Sequence, residues 1–429
     1  MVDVLLVGSG GREHALAWKL KQSPRIGKLY IAPGNGGTLA LGENVPIGVM
    51  EFKQLADFAE QRKVHLTVVG PDDPLAGGIV DFFRARGLRI FGPEHKAAQL
   101  ESSKSFSKQL MQEAGVPTAT FRVFTSYTAA SAYVQERGVP IVVKASGLAL
   151  GKGVYVCETL AEAEAALRAI IIDRVHKDAG NEVIVEEYLY GPEVSVHVLS
   201  DSFSWLLFPP SQDHKRALDG DQGENTGGMG AIAPLPWVTP ETMSDIEKRV
   251  VRPVFDALLA RNIQFTGLLY PGLKVTPDGV KVLEFNARFG DPECQVYMRL
   301  LKSDILDAFE ACADGRLIGS NISLEWNKGF AVNIVVASGG YPGEYKKGLP
   351  ITGIAEAEKV QGVVVFHAGT MIDFVNQSLV TSGGRVLGVS AVGDTLKDAL
   401  DRAYEAVEKI HFEGMHFRRD IGAKALAQK

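Results

Sequence analysis

Between residue 2 and about residue 103, short apolar runs of β type alternate with segments of helical period. The runs are residues 4–7 (Val-Leu-Leu-Val), 29–32 (Leu-Tyr-Ile-Ala), 66–69 (Leu-Thr-Val-Val) and 88–91 (Leu-Arg-Ile-Phe), with a helix-like segment at 15–20 after the first. Continuous apolar strands spaced by helices predict a parallel, doubly wound sheet buried on both faces. Each run ends in Gly or Pro: Gly8, Pro33-Gly34, Gly70-Pro71 and Gly92-Pro93. In such sheets ligands bind outside the C-terminal strand ends, where these turns lie.

From about 104 to 325 the pattern becomes mixed. Two β-type runs, 141–144 and 154–156, flank the glycine-rich stretch 147–153, which predicts a lid hairpin within a subdomain of about 119–192. From 326 onward, strands at 332–337 and 385–389 precede a helix over 395–410, with Gly-Gly turns at 339–340 and 383–384. The expected architecture is therefore α/β in three parts: 1–103, 104–325 and a smaller mixed α/β part, 326–429.

Composition changes this picture little. Hydrophobic residues make up 46% and charged residues 22% of the 429 positions, the balance of a folded globular chain. The 45 basic and 51 acidic residues leave a net charge of -6 with no basic run, which argues against a nucleic-acid partner. Three widely spaced cysteines, Cys157, Cys294 and Cys312, offer neither a disulfide framework nor a CxxC metal site, and a reducing cytoplasm is expected. No export segment and no membrane span are expected, because no apolar stretch approaches the ~20 residues a spanning helix needs.

Four segments carry candidate chemistry. The turn Gly8-Ser9-Gly10-Gly11-Arg12-Glu13 joins a strand to a helix, where backbone N–H groups and the helix dipole favour an anion. A dinucleotide fingerprint would need Gly at position 13 and an acid after the second strand, so a dehydrogenase is disfavoured. The stretch 147–153 is not a P-loop: three residues separate Gly147 from Gly151, and Gly153 stands where Ser or Thr would hold Mg²⁺. It remains a loop able to close over a polyphosphate, with Lys144 at the preceding strand end as a point charge. In residues 280–292, period-two alternation places Glu284 and Asn286 on one strand face and Leu283 and Phe285 on the other. Two hard oxygen ligands side by side form a Mg²⁺ site that phosphates and water complete. The polar segment 211–216 runs into the glycine-rich 225–230; there His214 is read as a solvated loop residue rather than a base.

Together these segments resemble the ATP-grasp superfamily. Residues 8–15, 32–35, 147–153, 211–215, 225–230 and 284–292 resemble, within it, the phosphoribosylamine–glycine ligases. The similarity runs from end to end and includes 339–343 and 367–370. The resemblance implies that ATP, glycine and 5-phosphoribosylamine give ADP, phosphate and glycinamide ribonucleotide through a glycyl phosphate, a step of purine biosynthesis. It implies that Lys104, Lys144 and Gly151 hold the ATP phosphates, and that Glu186, Leu189 and Glu193 hold the adenine and ribose. Glu284 and Asn286 would bind Mg²⁺ or Mn²⁺, and Arg288 and Lys144 would be catalytic. The phosphoribosyl part would fall to Gly10, Gly11, Arg12, Glu13, Pro33, Gly34, Asn35, Gly70, Pro71 and Asp72, while Asp213, Lys215, Arg288 and Asp291 complete the substrate contacts. Two positions depart from the family pattern: Ser146 replaces an acid and Asp72 often a Glu. A cytoplasmic monomer is expected. Two other readings stay open, another ATP-grasp carboxylate–amine ligase and a non-catalytic nucleotide-binding regulator.

Overall fold

The computed structural model describes residues 1–149 and 152–427. Gly151, expected against the nucleotide, lies outside the described residues. The first region is a five-stranded parallel sheet in spatial order Glu43–Asn44, Ile26–Pro33, Val2–Gly8, Leu66–Val69, Ile90–Phe91. Alternation along Val2–Gly8 buries both faces, as parallel sheets require. Val4 and Leu6 pack with Leu16 and Leu20 of helix Gly11–Leu20, while Leu5 and Val7 pack with Leu55 and Ile79 on the opposite side. The reversal of strand order about Val2–Gly8 sets three turns side by side: Gly34 N donates to Gly8 O at 3.1 Å and Gly70 N to Val7 O at 3.0 Å.

The expected lid is a four-stranded antiparallel sheet, ordered Phe121–Phe124, Val183–Glu187, Ile141–Ala145, Val154–Cys157. A second antiparallel sheet centres on Thr266–Thr276, which pairs with Gly279–Asn286, Glu193–Ser195 and Val198–Asp201. Helix Lys104–Glu113 begins at a Ser103 cap, whose Oγ accepts from Phe106 N at 3.3 Å. Such caps contribute about 1 kcal/mol.

The third sheet is antiparallel and is not confined to the C-terminal region. Strands Phe330–Ala337, Arg385–Gly393 and Val363–His367 share it with Gln212–Asp213 and Gly230–Ala233. Helix Leu396–Val407 covers one face through Leu396, Ala399, Ala403 and Val407. Helix Glu293–Leu300 lies on the other side, wedged between that sheet and helix Gly11–Leu20. Of the polar segments 211–216 and 225–230, Gln212–Asp213 and Gly230 lie on this shared sheet, while Arg216 and Asn225 pair in a separate two-stranded hairpin. His214 is correspondingly buried rather than solvated: its Nε2 accepts from Gly422 N at 3.0 Å, and burial lowers its pKa to about 4. Among the described residues no helix is long and apolar enough to cross a membrane.

Candidate functional site

Glu284 and Asn286 do share one face of strand Gly279–Asn286, but a bulge sets that face. Gly272 pairs with Glu284 and Leu273 with Val282, so Leu283 is the extra residue. Before the bulge Val280 and Val282 point into the core; after it Phe285 does, and Glu284 and Asn286 are turned outward. Without it, strict alternation would put Glu284 and Asn286 on the same face as Val280 and Val282. Leu283, expected on the face opposite Glu284, is only partly buried, and its freed carbonyl accepts from Lys144 Nζ at 3.3 Å.

Burial raises the Glu284 carboxyl, but Lys215, Lys144, Lys104 and Arg288 outweigh it and hold the pKa at about 2. The nearest of these, Lys215 Nζ, is 3.5 Å from Oε1. Arg288 Nη2 donates to Asn286 Oδ1 at 3.1 Å, which leaves that carbonyl a second lone pair. An ionised carboxylate beside an amide oxygen suits a hard divalent cation. Among the described residues no group of three or more His, Cys, Asp or Glu side chains could hold one alone. The remaining coordination must come from phosphate oxygens and water, the usual arrangement for Mg²⁺.

Glu186 occupies a different environment. It is buried between Lys144, paired with Oε1, and Lys108, 2.6 Å from Oε2. Burial raises its pKa, yet the two lysines bring it below the ordinary value. Lys144 therefore spans Glu186 and the bulged Leu283 carbonyl. Lys104, at the start of its helix, donates to Gly147 O at 3.1 Å and so touches the base of the lid loop. Leu189 is buried and its carbonyl accepts from Lys274 Nζ at 2.9 Å; Glu193 lies 3.8 Å from Lys215 Nζ and 3.9 Å from Lys274 Nζ.

On the N-terminal side, Glu13 fills the space left by three glycines: a Cβ at Gly8, Gly10 or Gly70 would lie 2.3, 2.8 or 2.0 Å from its side chain. Its Oε2 accepts from Gly10 N and its Oε1 from Arg12 Nε, both at 2.6 Å. Arg12 Nη1 also donates to Phe289 O at 2.9 Å. Gly34 has a left-handed φ of 74°, and a Cβ there would meet Asn44 Oδ1 at 2.3 Å. The Asn35 amide is spent on structure, donating to Ser9 O and His367 O and accepting from Gly37 N and Thr38 N. Pro71 caps a short helix that starts at Asp72. Burial raises the Asp72 carboxyl, but Arg288 and Arg12 pull it below the usual range, so this turn lies within electrostatic reach of the arginine that follows the Glu284–Asn286 strand.

Asp213 and Lys215 meet at the shared sheet. Burial and the neighbouring Glu293 push Asp213 well up, and its Oδ1 is buried without a hydrogen-bond partner among the described residues. Lys215 stays charged despite burial because Glu193, Glu284 and Asp213 surround it. Asp291 accepts from Gln295 Nε2 at 2.8 Å and faces Arg385 Nη2 at 3.5 Å. The sequence reading missed four participants. Lys108 and Arg385 reach the site from a helix flank and from the C-terminal sheet; Arg385 Nη1 donates to Gly227 O and Asp291 O, both at 2.6 Å. Glu293 accepts from Tyr270 Oη. Glu101 is buried, and desolvation raises its pKa to about 7 against the pull of Arg288. A charged residue spaced with the apolar positions of its helix was the available signal for Glu101, after Ala97 and Ala98, and for Lys108, before Met111.

A glycine-rich lid over lysines, a Glu-x-Asn strand and a facing anion turn define an ATP-grasp ligase. The whole structure matches the biotin carboxylase domain of 2-oxoglutarate carboxylase from Hydrogenobacter thermophilus, solved with MgADP, at TM-score 0.70 and 18% identity over 97% of this chain and 91% of that one, a likeness of fold. The chain belongs to the phosphoribosylglycinamide synthetase family: its N domain matches over residues 2–101, its ATP-grasp (A) domain over 102–294 and its C domain over 331–424. The phosphoribosylamine–glycine ligase of Nostoc sp. is 49% identical over 98% of this chain and 99% of its own length. That of Pseudomonas aeruginosa is 48% identical over 100% and 99%. The crystal structure of the Thermotoga maritima ligase matches at TM-score 0.85 and 32% identity, over 98% of this chain and 100% of that one.

Proposed function

We propose that this chain joins glycine to 5-phosphoribosylamine with conversion of ATP to ADP and phosphate, a step of purine biosynthesis. The observation that carries the reading is the clustering of Lys104, Lys144, Lys215 and Arg288 around Glu284, with Arg288 bonded to Asn286 and also within reach of Asp72 on the N-terminal turn. The glycine carboxylate attacks the γ-phosphorus, the bond to the ADP oxygen breaks, and glycyl phosphate forms. The amine nitrogen of phosphoribosylamine then attacks the glycyl carbonyl and phosphate leaves. No protein nucleophile is required. Such a reaction depends on positioning and on cations around the developing charge. When bound at Glu284 and Asn286, Mg²⁺, with Mn²⁺ as a substitute, neutralises the phosphate oxygens.

Within this reading Lys104 and Lys144 hold ATP phosphates, with Lys144 fixed by Glu186, and Arg288 faces the transferred phosphoryl group. Leu189 and Glu193 take the adenine and ribose side. Asp213, Lys215 and Asp291 take glycine, and the turns at Gly10–Glu13, Pro33–Asn35 and Gly70–Asp72 take the phosphoribosyl group. Closure of the lid protects the acyl phosphate from water. The working parts are 1–103, 104–325 and 326–429, in a monomer of the cytoplasm; three buried free cysteines suit a reducing compartment. The test is ADP release with ATP, Mg²⁺, glycine and phosphoribosylamine, each omitted in turn. Turnover should vanish without any one of them, and undiminished turnover without glycine would overturn the reading.

A further inference from the structure

We propose that Glu101 is a positioning residue of the phosphoryl-transfer centre, fixing Arg288 across the metal-ligand Asn286. The proposal rests on the function argued above. Glu101 stands in the last turn of helix His95–Ser102, at the seam where the N-terminal sheet region meets the ATP-grasp region. Both carboxylate oxygens are used, and on consecutive residues: Oε1 is 2.7 Å from Arg288 Nη2, and Oε2 accepts from Ala287 N at 2.8 Å. The same Nη2 donates to Asn286 Oδ1. The guanidinium is thus held between the Glu101 carboxylate and the Asn286 carbonyl, while its Nε is buried with no hydrogen-bond partner among the described residues.

Removing a carboxylate that served only as mortar would cost stability, because Arg288 and the Ala287 N–H lose their partner, but it would leave Mg²⁺ dependence and turnover unmoved. Two features point beyond mortar. Among the described residues, the hydrogen bond and the ion pair of the Glu101 side chain fall on the two residues that follow Asn286, where the strand leaves its sheet. Arg288 also has a second carboxylate within electrostatic reach, Asp72 on the facing turn. Without Glu101, Arg288 keeps only its bonds to Asn286 Oδ1 and Phe289 O and the attraction of Glu284 against the pull of Asp72, and its aim at Asn286 loosens. The seam carries a second group as well: two residues on, the Ser103 cap starts the helix that presents Lys104. One junction therefore sets the aim of both a phosphate-side lysine and the arginine.

The experiment compares wild type with Glu101→Gln and Glu101→Asp by steady-state ADP release, thermal unfolding and Mg²⁺-dependent ADP binding in calorimetry. Gln keeps the shape and loses the charge; Asp keeps the charge. Glu101→Gln is expected to lower kcat about tenfold or more, with KM for ATP and glycine within about threefold, because the group is misaligned rather than lost. Glu101→Asp is expected to recover most of the loss. The Mg²⁺ concentration needed for ADP binding should rise at least about threefold in Glu101→Gln, since Asn286 loses its brace. Unaltered kcat and Mg²⁺ dependence in Glu101→Gln would overturn the proposal, as would an equal loss in both variants that tracks a lowered unfolding temperature. If wild type fails to turn over glycine and the amine, the function above fails, whereas the Mg²⁺-dependent binding still decides the role of Glu101.

Discussion

Glu186 and Glu284 face overlapping sets of lysines with opposite results. Glu186 is buried, and Lys108 and Lys144 each take one of its oxygens. Glu284 feels four cations, yet its closest is 3.5 Å away and its side chain is 29% exposed. The first carboxylate has a lysine in contact with each oxygen and serves to hold those lysines in an apolar setting; the second has no cation as close and serves to hold a ligand. Charge alone does not separate them, since both are drawn to the ionised form. Direct contact with a buried cation does.

Breaking each carboxylate should expose the difference. Glu284→Ala is expected to lower glycine-dependent ADP release about a thousandfold or more while moving the unfolding temperature only a few degrees, measured by coupled assay and calorimetry. Wild-type turnover in that variant would remove Glu284 from the metal. Glu186→Ala leaves Lys108 and Lys144 buried without a counter-charge, so urea unfolding should show a loss of about 3–5 kcal/mol. A stability change below about 1 kcal/mol would mean the lysines find water.

Acid sharpens the contrast, because neither carboxylate titrates in the range where the fold does. Burial lowers the pKa of His14 to about 3 and of His214 and His367 to about 4, and takes His197 well below the ordinary value. Unfolded histidines titrate near 6.5, so the unfolded chain binds more protons as pH falls through that value. Stability should be retained above about pH 6.5 and decline from there toward 4. Glu101, raised by burial to about 7, acts in the opposite direction below that value, as do the raised carboxyls of Asp213 and Asp73, but the lowered histidines, His176 among them, are more numerous. Urea midpoints at about pH 7 and about pH 5 measure the slope, and His367→Asn should flatten it; a midpoint that rises on acidification contradicts the assignment. The smallest effect belongs to Lys152, an exposed lid lysine bonded to Pro342 O at 2.9 Å. Lys152→Ala should change turnover less than about twofold, in keeping with weak exposed charge contacts.

How legible the site was depended on whether its residues share a local pattern. The parallel strands, the lid strands and the helix near 396–407 follow from apolar periodicity, and the Glu284/Asn286 pair from alternation. The bulge at Leu283 does not, because a register slip depends on the partner strand rather than on the strand itself. Strand 90–91 is shorter than expected at its first end. The roles of Glu101, Lys108 and Arg385 arise from contacts between positions 78 to 186 residues apart, such as Glu101 with Ala287, and no local signal marks the partner. Asn35 lies on a turn that the resemblance gives to the phosphoribosyl group, and what its sequence does not show is that its side chain also ties Ser9, Thr38 and His367 together.

The sheet shared by Gly230–Ala233 and Phe330–Ala337 has a consequence for how the chain is made. During synthesis the middle third emerges with an open strand edge whose partner is about a hundred residues away. Until Phe330–Ala337 leaves the ribosome that edge is an aggregation hazard, and a chain cut short near residue 325 keeps it permanently. The last region is thus a fold-completing segment, and expression of the first two without it should yield insoluble protein rather than a smaller enzyme.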